Sequence, residues 1–131
     1  MLLTASSHAQ STLDLQAATN KAALCYVLTE IKSLYNPELK SYLPSIHRDY
    51  HKTASKLALR SYATKGVPEI DSCKISDAAS LMFNSDTARQ RYNILDETMK
   101  QGLKLKDIHE VIDNLYIEKD CNSLNARAHI E

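Results

Sequence analysis

Glycine and proline are scarce in this chain. Its 131 residues contain two glycines and three prolines, and one of each sits in Gly66-Val67-Pro68. Average usage would give roughly nine glycines and six prolines. Tight β-turns and phosphate-binding loops need glycine for conformations that other residues adopt at a cost, so so few of them point to helices joined by short connections. The length is that of one domain, large enough to bury a core without covalent staples. Apolar residues make up 44% of the chain, which argues against wholesale disorder.

The aromatic set is lopsided: no Trp, one Phe (Phe83) and seven Tyr. Tyr buries a ring and keeps its hydroxyl hydrogen-bonded, so it belongs at the edge of a Leu/Ile/Ala core. Cys25, Cys73 and Cys121 are odd in number and far apart, with no Cys-x-x-Cys or Cys/His spacing. That pattern fits free thiols in a reducing, cytoplasmic setting. Met1 to Ser7 carries no basic stretch ahead of a long apolar run, and no segment reaches membrane-spanning length, so neither a signal peptide nor a membrane partner is expected.

Helical periodicity organises the chain as an all-α, single-domain bundle of about five helices over 1–131, with frayed ends at about 1–10 and 121–131. The long members are expected at about 12–35, capped by Ser11, and at about 45–65, closed by Gly66 as a left-handed cap. A short turn of helix follows Pro37. Shorter helices are expected at about 77–83, 87–101 and 106–119, with Asn84-Ser85-Asp86 as a break. In the first helix Leu13, Ala17, Leu24, Val27, Leu28, Ile31, Leu34 and Tyr35 form one apolar stripe. Leu15, Ala18, Ala22 and Tyr26 form a second on the opposite side. A helix apolar on both sides either lies at the bundle centre or meets another chain with its second side. Inward stripes elsewhere are Ile46, Tyr50, Ala54, Leu57, Ala58 and Tyr62; Ala88, Tyr92, Leu95 and Met99; and Ile108, Val111, Ile112 and Leu115.

The formal charge is zero, yet it is segregated. Residues 1–31, 32–65 and 66–131 carry net charges of −1, +5 and −4. Within the basic segment Arg48, Lys52, Lys56 and Arg60 stand four apart, one cationic stripe on a helix face. Such a stripe is a solvated face, a dock for an acidic protein surface (another protein or a second copy), or a phosphate-backbone contact. Dedicated nucleic-acid modules carry a basic net charge, so the acidic protein is the preferred partner.

Residues 75–101 can also be read as a helix-turn-helix. Ile75-Ser76-Asp77-Ala78-Ala79-Ser80-Leu81-Met82, a Ser85 cap, Arg89-Gln90-Arg91 and Gly102-Leu103-Lys104-Leu105-Lys106-Asp107-Ile108 resemble excisionase-type and MerR-type DNA readers over about 35 residues. The resemblance departs at Phe83-Asn84 in the turn, and no aromatic-rich wing follows. It implies Arg89, Gln90 and Asn93 as base-facing side chains. His47 and His51 stand one turn apart without further ligands, so no metal site is expected. No phosphate loop, nucleophile elbow or Cys/His pair is present, so neither a cofactor nor catalysis is expected. The expected function is a non-catalytic cytosolic adaptor, chaperone or regulator acting through protein contacts. Its contact surfaces would be the basic stripe and the second face of the first helix. The alternative is a helix-turn-helix transcriptional regulator.

Overall fold

The computed structural model describes residues 11–66 and 71–124, and these form an all-helical bundle with no strand among them. Four α-helices are α1 (Thr12–Lys32), α2 (Leu43–Thr64), α3 (Ser72–Lys100) and α4 (Leu105–Glu118), with a 3-10 segment, Pro37–Tyr42, between the first two. The expected frayed segment 1–10 lies outside the described residues.

Helix α1 starts where its cap dictates: the Asp14 backbone N–H donates to Ser11 Oγ at 3.0 Å. It is the central element, packed against α2, α3 and α4. Its two apolar faces serve two separate cores. On one side Ala22 and Ala23 meet Tyr50, Ala54 and Ala79, with Met82 and Phe83 packed at the edge. Alanines from three helices bring the backbones close, and Tyr50 and Phe83 fill the remaining space. On the other side Cys25 and Leu28 meet Ile112, Tyr116, Cys121 and Leu124. The second stripe of α1 is therefore core: Leu15 and Ala22 are buried, and Ala18 and Tyr26 are half-buried. The expectation that this face meets another chain is corrected, because α2 and α3 already cover it. The ends of the first stripe, by contrast, protrude, and Leu13 and Leu34 are exposed.

Helix α2 follows its pattern. Ile46, Tyr50, Ala54 and Ala58 are buried at four-residue steps, Leu57 and Tyr62 are half-buried, and Gly66 closes the end at φ +81°.

Helix α3 departs from its pattern twice. First, it runs unbroken through Asn84-Ser85-Asp86, starting from an Asp71 side chain that accepts from the Lys74 N–H at 2.9 Å. Asn and Ser weaken a helix interior by only about half a kcal/mol each. Phe83 on one side of them and Thr87 on the other are held to the core. Asp86 does not cap a new helix. Its carboxylate accepts from the Tyr50 hydroxyl and from Arg89 Nη2. Second, the inward face is Ile75, Ala79, Thr87 and Thr98, all buried. Ala88, Tyr92, Leu95 and Met99 point to solvent. The helix carries apolar residues on two opposite sides, and the bundle uses the side that includes two threonines. Thr87 and Thr98 return their hydroxyls to the Phe83 and Leu95 carbonyls, which lets a polar residue go inward.

Beyond α4, Asp120 takes a left-handed turn (φ +56°), a conformation that Asp tolerates better than most residues, and Cys121 and Leu124 are buried after it. Cys121 is bonded to Cys25 of α1, 96 positions away, with 5.4 Å between their Cα atoms. The expectations of three free thiols and of fraying from 121 onward are both corrected over the described residues. Cys73 alone remains free, and it is exposed. No helix among the described residues is long and apolar enough to cross a membrane.

Candidate functional site

The inward row of α2 fixes what its far side presents. With Ile46, Tyr50, Ala54 and Ala58 against α1 and α3, the residues two positions later in each turn face away from the bundle. Arg48, Lys52 and Lys56 are exposed there, and Arg60 is half-buried at the end of the row. Successive members rise by about 6 Å, so the stripe is about 18 Å long. Its first member is steadied by its own helix, Arg48 Nη2 donating to Ser45 Oγ at 2.8 Å. Its last bends over α1, Arg60 Nη1 reaching Thr12 Oγ1 at 3.4 Å.

Arg60 also marks the mouth of a cleft of about 630 Å³ between the N-terminal half of α1, the C-terminal half of α2 and the start of α3. Gln16, Asn20 and Thr64 give it polar walls, Lys65 adds a second cation, and Asp86 lies at its α3 side. Stripe and cleft meet at Arg60, and the cleft floor is partly apolar, with Leu57, Ala58, Ala78 and Met82.

Several acidic residues of the C-terminal half are engaged elsewhere. Asp113 of α4 accepts from Lys32 Nζ at 2.7 Å and from the Tyr35 hydroxyl at 2.9 Å, both from α1 or its end. The Lys32 contact holds the Asp113 carboxyl below its ordinary range, against a smaller opposing effect of burial, and the Tyr35 contact works in the same direction as Lys32. Burial and the same Asp113 push the Tyr35 phenol far up. Asp120 lies 3.8 Å from Lys21 of α1, Asp96 pairs with Lys100 at 3.0 Å within α3, and Glu30 takes Arg91 at 2.9 Å. These pairs tie Asp113 and Asp120 to α1, Arg91 to α1 and Asp96 to its own helix, and α4 packs on α1.

The residues expected to read bases sit on an unbroken helix. Arg89 is held by Asp86 at 2.9 Å, Gln90 is half-buried, and Asn93 is exposed. The turn that would present them as a recognition helix is absent. His47 and His51 do not form a ligand pair. The His47 ring packs edge-on to Phe83, centroids 4.4 Å apart, and His51 places its two ring nitrogens 3.4 Å from Ser55 Oγ and Ser76 Oγ. Burial, and then the neighbouring His51, lower the His47 pKa, so this ring is neutral at neutral pH. Among the described residues no group of three His, Cys, Asp or Glu could hold a metal ion.

Two features of the surface and core escaped the sequence reading. The 25–121 bond carries no local signal, because 96 residues separate the partners. The outward apolar row of α3 does carry one, its alternating spacing of three and four, but the same spacing marks a core-facing row. Comparison with models of protein families, with curated proteins and with solved structures returned no match.

Proposed function

We propose that this domain is a non-catalytic adaptor, chaperone or regulatory protein that docks an acidic protein surface on the outward face of α2. The observation that carries the proposal is the exposure of Arg48, Lys52 and Lys56 in one row, while Asp113 of α4 is occupied by Lys32 and Tyr35. Exposed cations of this kind contribute little to folding. Aligned on a rigid helix they steer an oppositely charged partner and fix its orientation, mainly through the association rate. The cleft beyond Arg60 offers that partner polar walls in which an end or side chain can seat.

A disulfide that closes most of the chain persists in an oxidising compartment, so we place the activity there. The cytoplasmic expectation rested on three free thiols. Nucleic acid is the other anionic partner of a basic row, and one experiment separates the two. The protein and its Arg48, Lys52, Lys56 and Arg60→Glu variant are used as baits in native extract, with and without nuclease. Protein partners retained after nuclease by the parent and lost by the variant, at unchanged helical circular dichroism, fit the proposal. Equal recovery by both baits removes the stripe. Recovery abolished by nuclease transfers it to nucleic acid.

A further inference from the structure

The cleft beside Arg60 changes charge from one end to the other. Arg60 and Lys65 stand at its mouth, and Asp86 lines it from α3. The Asp86 carboxylate accepts from the Tyr50 hydroxyl. Tyr50 stands ten residues before Arg60, about 15 Å back along α2, so cations and carboxylate occupy opposite ends. Arg60 is half-buried, yet among the described residues it meets the neutral Thr12 hydroxyl and no carboxylate. A partly desolvated guanidinium without a counter-charge favours an anion beside it. At the other end Tyr50 and Arg89 occupy two of the about four lone-pair sites of Asp86, and the rest can accept from a ligand.

Between the ends the lining is of a third kind. Ala58, Ala78 and Met82 make an apolar floor. Thr19 adds no free polar group, because its hydroxyl returns to the Leu15 carbonyl. Gln16 and Asn20, one turn apart on α1, line the side. Each of their amides offers a donor and an acceptor together, the combination a peptide group requires. Ala78, Met82 and Asp86 stand at four-residue steps on α3, so the floor runs about 12 Å to the carboxylate. Three extended residues span about 10–11 Å. The volume of about 630 Å³ is that of a small-molecule site.

We infer that this cleft binds a free peptide of tripeptide size, its C-terminal carboxylate on Arg60 and Lys65 and its ammonium at Asp86. The peptide groups meet Gln16 and Asn20, and an apolar middle side chain lies on Ala58, Ala78 and Met82. An amphipathic acid would satisfy the cations but would end its tail against the Asp86 carboxylate. The inference rests on the cleft alone. Arg48, Lys52 and Lys56 do not line it, so its failure leaves the acidic-partner reading of the stripe untouched.

Titration calorimetry of the full chain with Ala-Leu-Ala tests it. The comparison ligands are the same peptide amidated at its C-terminus, the same peptide acetylated at its N-terminus, and octanoate. The expected dissociation constant is of order 0.1–1 mM. Amidation weakens binding about tenfold and acetylation about three- to tenfold. Arg60→Gln brings the free acid down to the level of the amide, and Lys65→Gln, at an exposed helix end, does so in part. Asp86→Asn, which keeps an acceptor for Tyr50, makes the free and acetylated peptides equivalent. Circular dichroism checks that each variant is folded, and the ligand series on the parent decides without them. No binding of the free peptide at about 10 mM, as when another segment of the chain fills the cleft, overturns the inference. So does a parent that binds the free, amidated and acetylated peptides equally, or one that binds octanoate as tightly as the peptide.

Discussion

His47 shows how much a single side chain's surroundings decide. On the sequence it is one of two histidines a turn apart. In the bundle its ring is wedged between Tyr26 and Phe83, with His51 beyond. Both burial and the second imidazole disfavour its charged form, so its folded pKa lies below the ordinary 6.5. The unfolded chain therefore takes up this proton first as the pH falls through about 6.5, and folding stability declines until the folded pKa is passed as well. Asp113 acts in a separate window. Its folded pKa lies below 3.8, so its contribution is held at neutral pH and lost only as the pH falls below about 4. Urea midpoints measured from pH 7.5 to 5 should fall in the parent protein, and His47→Gln should flatten that slope. A slope unchanged by His47→Gln would assign it to other groups. The inward direction of Tyr50 was legible from its spacing with Ile46 and Ala54. Its bond to Asp86 was not, because 36 residues separate them and Asp after Asn-Ser reads locally as a cap.

At the scale of elements, periodicity places α1, α2 and α4 within about three residues of where they lie, whereas α3, expected as two helices from about 77, begins at Ser72 behind an Asp71 cap. Ser11 and Gly66 act as their types demand. What it missed was continuity and orientation in α3. Asn84 and Ser85 lower helix propensity, yet the loss is small beside the packing of Phe83 against Tyr26, His47 and Tyr50. Orientation failed for a different reason. Ile75, Ala79, Phe83 and Ile94 face the bundle while Leu81, Tyr92, Leu95 and Met99 face out, so the helix is apolar on both sides and period alone does not choose between them. The continuity of α3 makes a sharp prediction at Asn84, which is exposed in mid-helix. Asn84→Ala should raise stability by about 0.5 kcal/mol, read from the urea midpoint at low protein concentration. If residues 84–86 formed a turn, the same change would remove a turn former and lower it.

At the scale of the whole molecule, the question is what holds two small cores together. One core joins α1, α2 and α3 through alanines and Tyr50, and the other joins α1 to α4 and the 121–124 turn. They share α1 as their spine, and α3 reaches the second core as well through Ile94. The 25–121 bond closes about three-quarters of the chain, from the middle of α1 to the turn after α4, and so it constrains the unfolded ensemble more than a short loop would. A loop of that size corresponds to about 4 kcal/mol of stabilisation, a large part of what a domain this size possesses. Count and spacing alone point to free cysteines; only the folding back of α4 along α1 brings Cys121 to Cys25. Reduction should therefore act unevenly. Dithiothreitol, or Cys25→Ala with Cys121→Ala, should lower the unfolding free energy by about 3–4 kcal/mol. Amide exchange should accelerate first in α4 and 121–124, while α2 and the facing half of α1 stay protected. Uniform loss of protection across all four helices would show instead that the two cores unfold as one unit. An unchanged urea midpoint under reductant would show that the bond contributes nothing to holding α4 in place.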